Sequence, residues 1–270
     1  MKSPCLAAGA ALAAAIVPAD AADVSATLRP EGPPQRLAGA LAEISGLAPA
    51  GGTHVYAHTD EEAKVFELDF RSGDVVRTFS LGRPAAVGDF EAVVARGGVI
   101  ALVTSKGVIH EAALSGGARP LAFSAVDTGA GRDCEIEGLA PNPARDGYFL
   151  ACKRKGRRLV VREWSRKDGL APAIDMELQG AVPNPKAFRA ADIVADQATR
   201  SLLVLDSAAG AILEVSLDGE KRGYWRLGGD HPQAEGLALL EDGRLLVADE
   251  GKIGKGSLGA GKLTLYPPRR

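Results

Sequence analysis

The sequence predicts an all-β fold: a five-bladed β-propeller of four-stranded antiparallel blades, its ring closed by the N-terminal strand. Three observations predict it. A short motif, acidic and then small, recurs five times along the chain. After each copy come further short runs of β-forming residues separated by glycine-rich turns. The length left after a leader matches five such units, each of roughly 48 residues.

The copies are Glu43-Ile44-Ser45-Gly46-Leu47-Ala48, Asp89-Phe90-Glu91-Ala92-Val93-Val94, Cys134-Glu135-Ile136-Glu137-Gly138-Leu139-Ala140, Ala191-Asp192-Ile193-Val194-Ala195 and Gln233-Ala234-Glu235-Gly236-Leu237-Ala238. Aligned, they put Ser45, Glu91, Glu137, Asp192 and Glu235 in one column, with spacings of 46, 46, 55 and 43 residues. A period in this range marks a propeller blade or a helical repeat. The segments between the turns are short and rich in Val, Leu and Ile, which favours blades over paired helices.

The first residues are a different material. Lys2 supplies a positive start, residues 6–17 are nearly all apolar, and Ala19-Asp20-Ala21 fits a small-x-small cleavage site. Residues 1–21 therefore read as a secretory signal peptide and 22–270 as a single propeller domain. The apolar run falls short of the roughly 20 residues that a membrane span needs. Cys5 follows Lys2-Ser3-Pro4, which is not an apolar lipobox. No later stretch is long and apolar enough to span, so the mature protein is expected in the periplasm or secreted. A net charge of -2 argues against a nucleic-acid partner, which would demand a basic face. The expected partner is an unknown small molecule or an envelope component, and the expected state is a monomer.

Within the domain, residues 24–29 alternate and read as a strand. The first unit then gives strands over 44–48, 54–58, 64–69 and 75–81. The second gives 91–95, 99–104, 107–112 and 121–127. The third gives 136–140, 147–152, 159–164 and 174–178. The fourth gives 191–195, 202–206, 211–217 and 221–227, with Asp218-Gly219 as a hairpin turn. The fifth gives 235–240, 245–249 and 262–266. It is one strand short, and the strand over 24–29 has no unit of its own. The two deficits cancel if the N-terminal strand completes the last blade, which also removes open sheet edges.

The innermost strand of each blade lines the central channel, so the column should converge near the axis. Four of its members are carboxylates: Glu91, Glu137, Asp192 and Glu235. A looser ring of Glu43, Asp89, Glu135 and Gln233 lies two positions earlier, broken at Ala190. Gathered like charges are costly to desolvate and call for compensation. Calcium suits an all-oxygen set, and zinc does not. The column is therefore a candidate calcium site. Hydrogen bonds from neighbouring backbone amides, or a catalytic carboxylate pair, are the other readings. The ends of the second strands carry Asp60, Ser105, Lys106, Lys153, Asp206, Asp249 and Glu250, either a ligand rim or a solvated loop face.

Cys134 and Cys152 flank a predicted hairpin and are the two cysteines left once the leader with Cys5 is removed, and an even count in an exported protein favours a disulfide over two separate thiols. Residues 256–262 imitate a phosphate-binding loop, but Leu263 follows Lys262 and no helix is evident, so the stretch reads as a loop. His54 and His58 lie about 13 Å apart along one strand face, too far to share a zinc ion. His110 falls in an outer strand. His231 precedes Glu235 by four residues and is a candidate general base near the channel mouth. The basic run over 153–158 reads as a solvated hairpin tip.

The motifs quoted above, with Leu202-Leu203-Val204-Leu205-Asp206-Ser207, resemble those of the SdiA-regulated (YjiK-like) family over about residues 38–267. The resemblance implies a β-propeller of an exported or membrane-tethered protein, with a calcium site at the acidic column and no established reaction. A more distant similarity to phytase-like esterases and calcium-dependent lactonase propellers implies hydrolysis of an ester, lactone or phosphoester. The sequence is read as an exported, calcium-associated binding or scaffold protein of the cell envelope. The alternative is a calcium-dependent hydrolase with Glu137 or Glu235 as general base.

Overall fold

The computed structural model describes residues 24–114, 120–153, 156–253 and 257–269. The expected leader, Cys5, Arg154, Lys155 and Gly256 lie outside the described residues.

Two short strands come first, β1 (Ala26–Leu28) and β2 (Gln35–Arg36). Blade one is β3 (Ile44–Gly51), β4 (His54–Thr59), β5 (Lys64–Asp69) and β6 (Asp74–Ser80). Blade two is β7 (Phe90–Arg96), β8 (Val99–Thr104), β9 (Val108–Ala113) and β10 (Phe123–Asp127). Blade three is β11 (Ile136–Asn142), β12 (Gly147–Cys152), β13 (Arg158–Ser165) and β14 (Gly169–Glu177). Blade four is β15 (Ala190–Asp196), β16 (Ser201–Asp206), β17 (Ala211–Ser216) and β18 (Lys221–Leu227). Blade five begins with β19 (Ala234–Leu239) and β20 (Leu245–Asp249). A two-strand ribbon, β21 (Lys252–Ile253) and β22 (Ser257–Leu258), intervenes before β23 (Lys262–Tyr266). The first strand of each blade pairs antiparallel with the second, and so on outward.

The N-terminal segment closes the ring, as expected, but two strands share the task. Gln35–Arg36 pairs with Leu263 and Lys262 and supplies the missing strand of blade five. Ala26–Leu28, where the sequence shows alternation, instead adds a fifth, parallel strand to blade four, opposite Trp225–Leu227. Its buried Leu28 explains the choice: the side chain joins the apolar layer between blades four and five with Trp225 and Leu227. The segment thus staples the fourth blade to the fifth from outside. The loop after β22 leads straight into β23 without a helix, as the phosphate-loop imitation lacked one.

The core lies in five layers, one at each interface between neighbouring blades. Each is made by the inward alternate residues of two facing sheets. Blades one and five share one of them, with Leu47, Phe66, Leu246 and Leu263, so the ring is closed by side chains as well as by backbone.

Every inner strand opens with a β-bulge. The register slips between Ile44 and Gly46, Phe90 and Ala92, Ile136 and Gly138, Ala190 and Asp192, and Ala234 and Gly236. A bulge leaves one residue unpaired and re-aims its side chain. The glycines after the bulges serve close packing at the axis. A Cβ on Gly138 would stand 2.8 Å from the Ile193 backbone nitrogen, and one on Gly236 would stand 3.1 Å from the Gly46 carbonyl carbon.

Candidate functional site

The recurring motif is the bulge. Its unpaired residues are Ser45, Glu91, Glu137, Ala191 and Glu235, so four of the five column positions sit on bulges and converge at one mouth of the channel. Asp192 is displaced by one residue. Its register position matches Gly46, Ala92, Gly138 and Gly236, the positions directed at the next blade. Its carboxylate follows that direction. Oδ2 accepts a hydrogen bond of 2.8 Å from the Leu237 amide of blade five, and Oδ1 accepts one of 2.7 Å from Ile193. Asp192 binds two blades together, which is the amide-bonded reading of the column. Burial raises its carboxyl well above the usual range, against those two amides.

The remaining carboxylates gather around an ammonium group. Lys153 follows the end of β12, and its Nζ lies 2.5 Å from Glu137 Oε1 and 3.9 Å from Glu135 Oε2. The Lys153 amide bonds the Glu135 carbonyl, and the Lys153 carbonyl accepts from the Ala190 amide, which fixes the backbone beneath it. The adjacent Cys152 forms a disulfide with Cys134, tying the end of β12 to the turn before β11. The expected solvated tip therefore begins with a lysine turned into the mouth. Burial works against its charge, but Glu137, Glu91 and Glu135 together hold it above its ordinary value.

The three glutamates differ in electrostatic state. Burial, Glu137 and Asp89 push Glu91 up to about 9, against the pull of Lys153. Burial raises Glu137 despite its ion pair. Burial, Glu137 and Glu250 hold Glu235 at about 7, with Gln233 and Lys153 opposing. At neutral pH the mouth thus carries a protonated Glu91, a Glu137–Lys153 pair and a half-titrated Glu235. Glu91 and Glu235 are half-buried and stand within reach of solvent.

Most second-strand ends are occupied within the fold. Ser105 Oγ donates to Asp89 at 2.6 Å, and Asp206 accepts from Tyr224 at 3.0 Å. Asp249 is fully buried and lies 2.7 Å from His231 Nδ1. His231 Nε2 meets the Tyr266 hydroxyl, and that hydroxyl donates to the Gly228 carbonyl at 2.6 Å. His231 is thus built into a buried relay with its side chain 3% exposed. His58 is fully buried on β4. Burial lowers its imidazole to about 4, and Nδ1 lies 3.0 Å from the Thr59 carbonyl.

Among the described residues no group of three or more His, Cys, Asp or Glu side chains is placed to hold a metal ion. Asp192 has both oxygens engaged by amides, and Glu137 faces an ammonium, so these four carboxylates do not make an oxygen cage as they stand.

The sequence exposed the glutamates by their recurrence. Lys153 stood among the second-strand ends and at the head of a basic run, and its inward turn onto Glu137 is a tertiary effect. On the opposite face, pockets line the far ends of the same inner strands and include Arg96, Glu111 and Tyr148. No periodic signal marks these residues.

A family model described as SdiA-regulated matches residues 31–253. No curated protein matches the chain. Among solved structures, glutaminyl cyclase from Myxococcus xanthus is similar over 88% of this chain and 97% of its own, with 16% identity and a TM-score of 0.57. The calcium-binding protein regucalcin from Agrobacterium tumefaciens is similar over 90% and 97%, with 11% identity and a TM-score of 0.54. A streptogramin B lyase is similar over 86% and 97%, with 13% identity and a TM-score of 0.51. At such identities the likeness shows the propeller fold alone.

Proposed function

The chain belongs to the SdiA-regulated family, and we propose that it is an exported propeller enzyme that hydrolyses a neutral ester or lactone at the acidic mouth. One observation carries this reading: bulge glutamates of blades two, three and five gather near Lys153, which pairs with Glu137, and burial raises each carboxyl to a different extent. Pairs of acids whose environments separate their titration are the mark of acid–base chemistry. Glu235 in its ionised form takes a proton from water as that water adds to the carbonyl carbon. Lys153 stabilises the developing oxyanion. The carbon–oxygen bond to the leaving group then breaks, and the leaving oxygen takes the proton held by Glu91. Solvent exchange returns a proton to Glu91 and removes one from Glu235.

Electrostatics favour ester or lactone over phosphoester, since an anionic phosphoester would meet the carboxylates directly. Several propellers of similar fold carry the names of enzymes, a lyase and a cyclase among them. A binding or scaffold role has less support. The large apolar side chains exposed among the described residues are scattered from Val75 to Leu217. Export rests on the leader over 1–21 and on the Cys134–Cys152 disulfide, which belongs to an oxidising compartment. Among the described residues no helix is long and apolar enough to cross a membrane.

Calcium at Glu91, Glu137 and Glu235 is a second reading, suggested by their convergence and by the calcium-binding propeller of similar fold. It requires the ion to displace Lys153 from Glu137.

The deciding assay follows hydrolysis of p-nitrophenyl butyrate and of γ-butyrolactone by the mature protein between pH 5 and 9. The rate is expected to rise through about 7, following the Glu235 carboxyl, and to fall at least a hundredfold in Glu235→Gln. Turnover equal in parent and variant, or none with either substrate, would overturn the proposal.

A further inference from the structure

We propose that the face opposite the acidic mouth binds a short amphipathic carboxylate, its tail in an apolar chamber on the axis and its head on Arg96. Glu91 and Arg96 stand near opposite ends of β7, five residues apart, or roughly 16 Å along a strand. The site is thus separate from the glutamate ring and independent of its chemistry.

The chamber has a volume of about 150 Å³ and takes wall residues from all five blades, among them Leu47, Val93, Leu139, Val194 and Leu239. The chamber is open on one side, mainly apolar in its lining, and large enough for a benzene-sized group to enter. Beside it, between blades two and three, lies a second pocket of about 230 Å³. Val94 and Pro141 line both, so the two spaces adjoin along that shared wall. One molecule can place an apolar end in the first and a polar end in the second.

The polar end is defined by charge. Glu111 is 7% exposed, accepts a hydrogen bond of 2.6 Å from the Tyr148 hydroxyl, and pairs with Arg166. Burial and the bond to Glu111 raise the Tyr148 phenol, so it remains a donor to that carboxylate. These three groups satisfy one another. Arg96 lines the same pocket, and among the described residues no acid pairs with it. A lone guanidinium beside an apolar chamber matches a carboxylate, which takes its two parallel N–H donors. Glu111 and Asp146 in the same wall oppose a doubly charged phosphate head.

Calorimetry with hexanoate, acetate, 1-hexanol and inorganic phosphate tests the assignment on the mature protein. Hexanoate is expected to bind at least tenfold tighter than the other three. Arg96→Gln should bring hexanoate to the level of hexanol, and Leu239→Phe should bring it to the level of acetate. A series from butanoate to octanoate on the parent needs no variant: affinity should climb with length and then level off as the chamber fills. A flat series, phosphate binding as tight as hexanoate, or an unchanged affinity in Arg96→Gln would each overturn the proposal.

Discussion

Lys153 Nζ lies 2.5 Å from Glu137 Oε1, and the Glu137 side chain is only 4% exposed. The protein thus supplies its own cation to a ring of acids that elementary electrostatics would otherwise forbid. Lys153→Met leaves Glu137 without that partner. Breaking a buried pair costs roughly 3–5 kcal/mol, but Lys153 is more than a third exposed and solvent screens part of that. The expected loss is about 2 kcal/mol in urea unfolding at pH 8 and smaller at pH 4, below the ordinary glutamate value, above which burial holds Glu137. A loss equal at both pH values would show that the lysine acts through packing.

The raised carboxyls make stability fall with rising pH. Glu91 is raised to about 9 and Glu235 to about 7, each above its unfolded value of 4.5. Between these limits the folded chain binds more protons than the unfolded chain, and linkage then lowers the unfolding free energy as pH rises. The contribution of Glu235 is complete below about 4.5 and lost as pH passes 7, and that of Glu91 is lost as pH passes 9. Thermal unfolding is expected at a higher temperature at pH 5 than at pH 9, with the slope reduced in Glu91→Gln. A midpoint that climbs from pH 5 to pH 9 would contradict the placement of these acids.

The blades were legible because their signals are local. Alternation, glycine turns and the recurring bulge motif put most strands within one or two residues of their places, such as 147–152 and 262–266. The closing strand was not legible, because Gln35–Arg36 contributes backbone hydrogen bonds with no apolar pattern. Asp192 was misaligned by one position because blade four has Ala191 at its bulge and a carboxylate one residue later. A sequence column cannot show a one-residue slip, yet that slip turns the side chain from the axis to the neighbouring blade. Lys153 was legible as a second-strand end but its direction was not, since nothing local tells a solvated lysine from one turned inward.

Calcium affinity should depend on the lysine. With Lys153 present, the metal-stripped protein is expected to give no calorimetric binding of calcium below millimolar concentration. Lys153→Met removes the competing charge and leaves Glu91, Glu137 and Glu235 to take the ion, with binding expected to tighten at least tenfold. Micromolar binding in the parent, lost in Glu137→Gln and Glu235→Gln, would instead make calcium the resident cation of the mouth.

The Cys134–Cys152 bridge closes a sequence separation of 18 residues. A loop of that length contributes about 3 kcal/mol by restricting the unfolded chain. Replacing both cysteines with serine is therefore expected to lower the urea unfolding free energy by about 3 kcal/mol. An unchanged midpoint would mean that the bridge is absent from the folded protein, and mass measurement after alkylation without reductant would confirm it.

Hydrogen-bond arithmetic fixes one proton in the buried relay of blade five. The Tyr266 hydroxyl has a single hydrogen, and the Gly228 carbonyl, 2.6 Å away, can only accept it. The contact between Tyr266 and His231 Nε2 must then be donated by the imidazole, so Nε2 carries a hydrogen. Nitrogen-15 NMR should show a protonated Nε2 on His231, slow to exchange because the side chain is 3% exposed. Tyr266→Phe removes its acceptor and leaves a buried donor unpaired, at a cost of about 1–3 kcal/mol. A bare Nε2 in the parent would mean that the tyrosine points its hydrogen at His231 and leaves Gly228 unbonded.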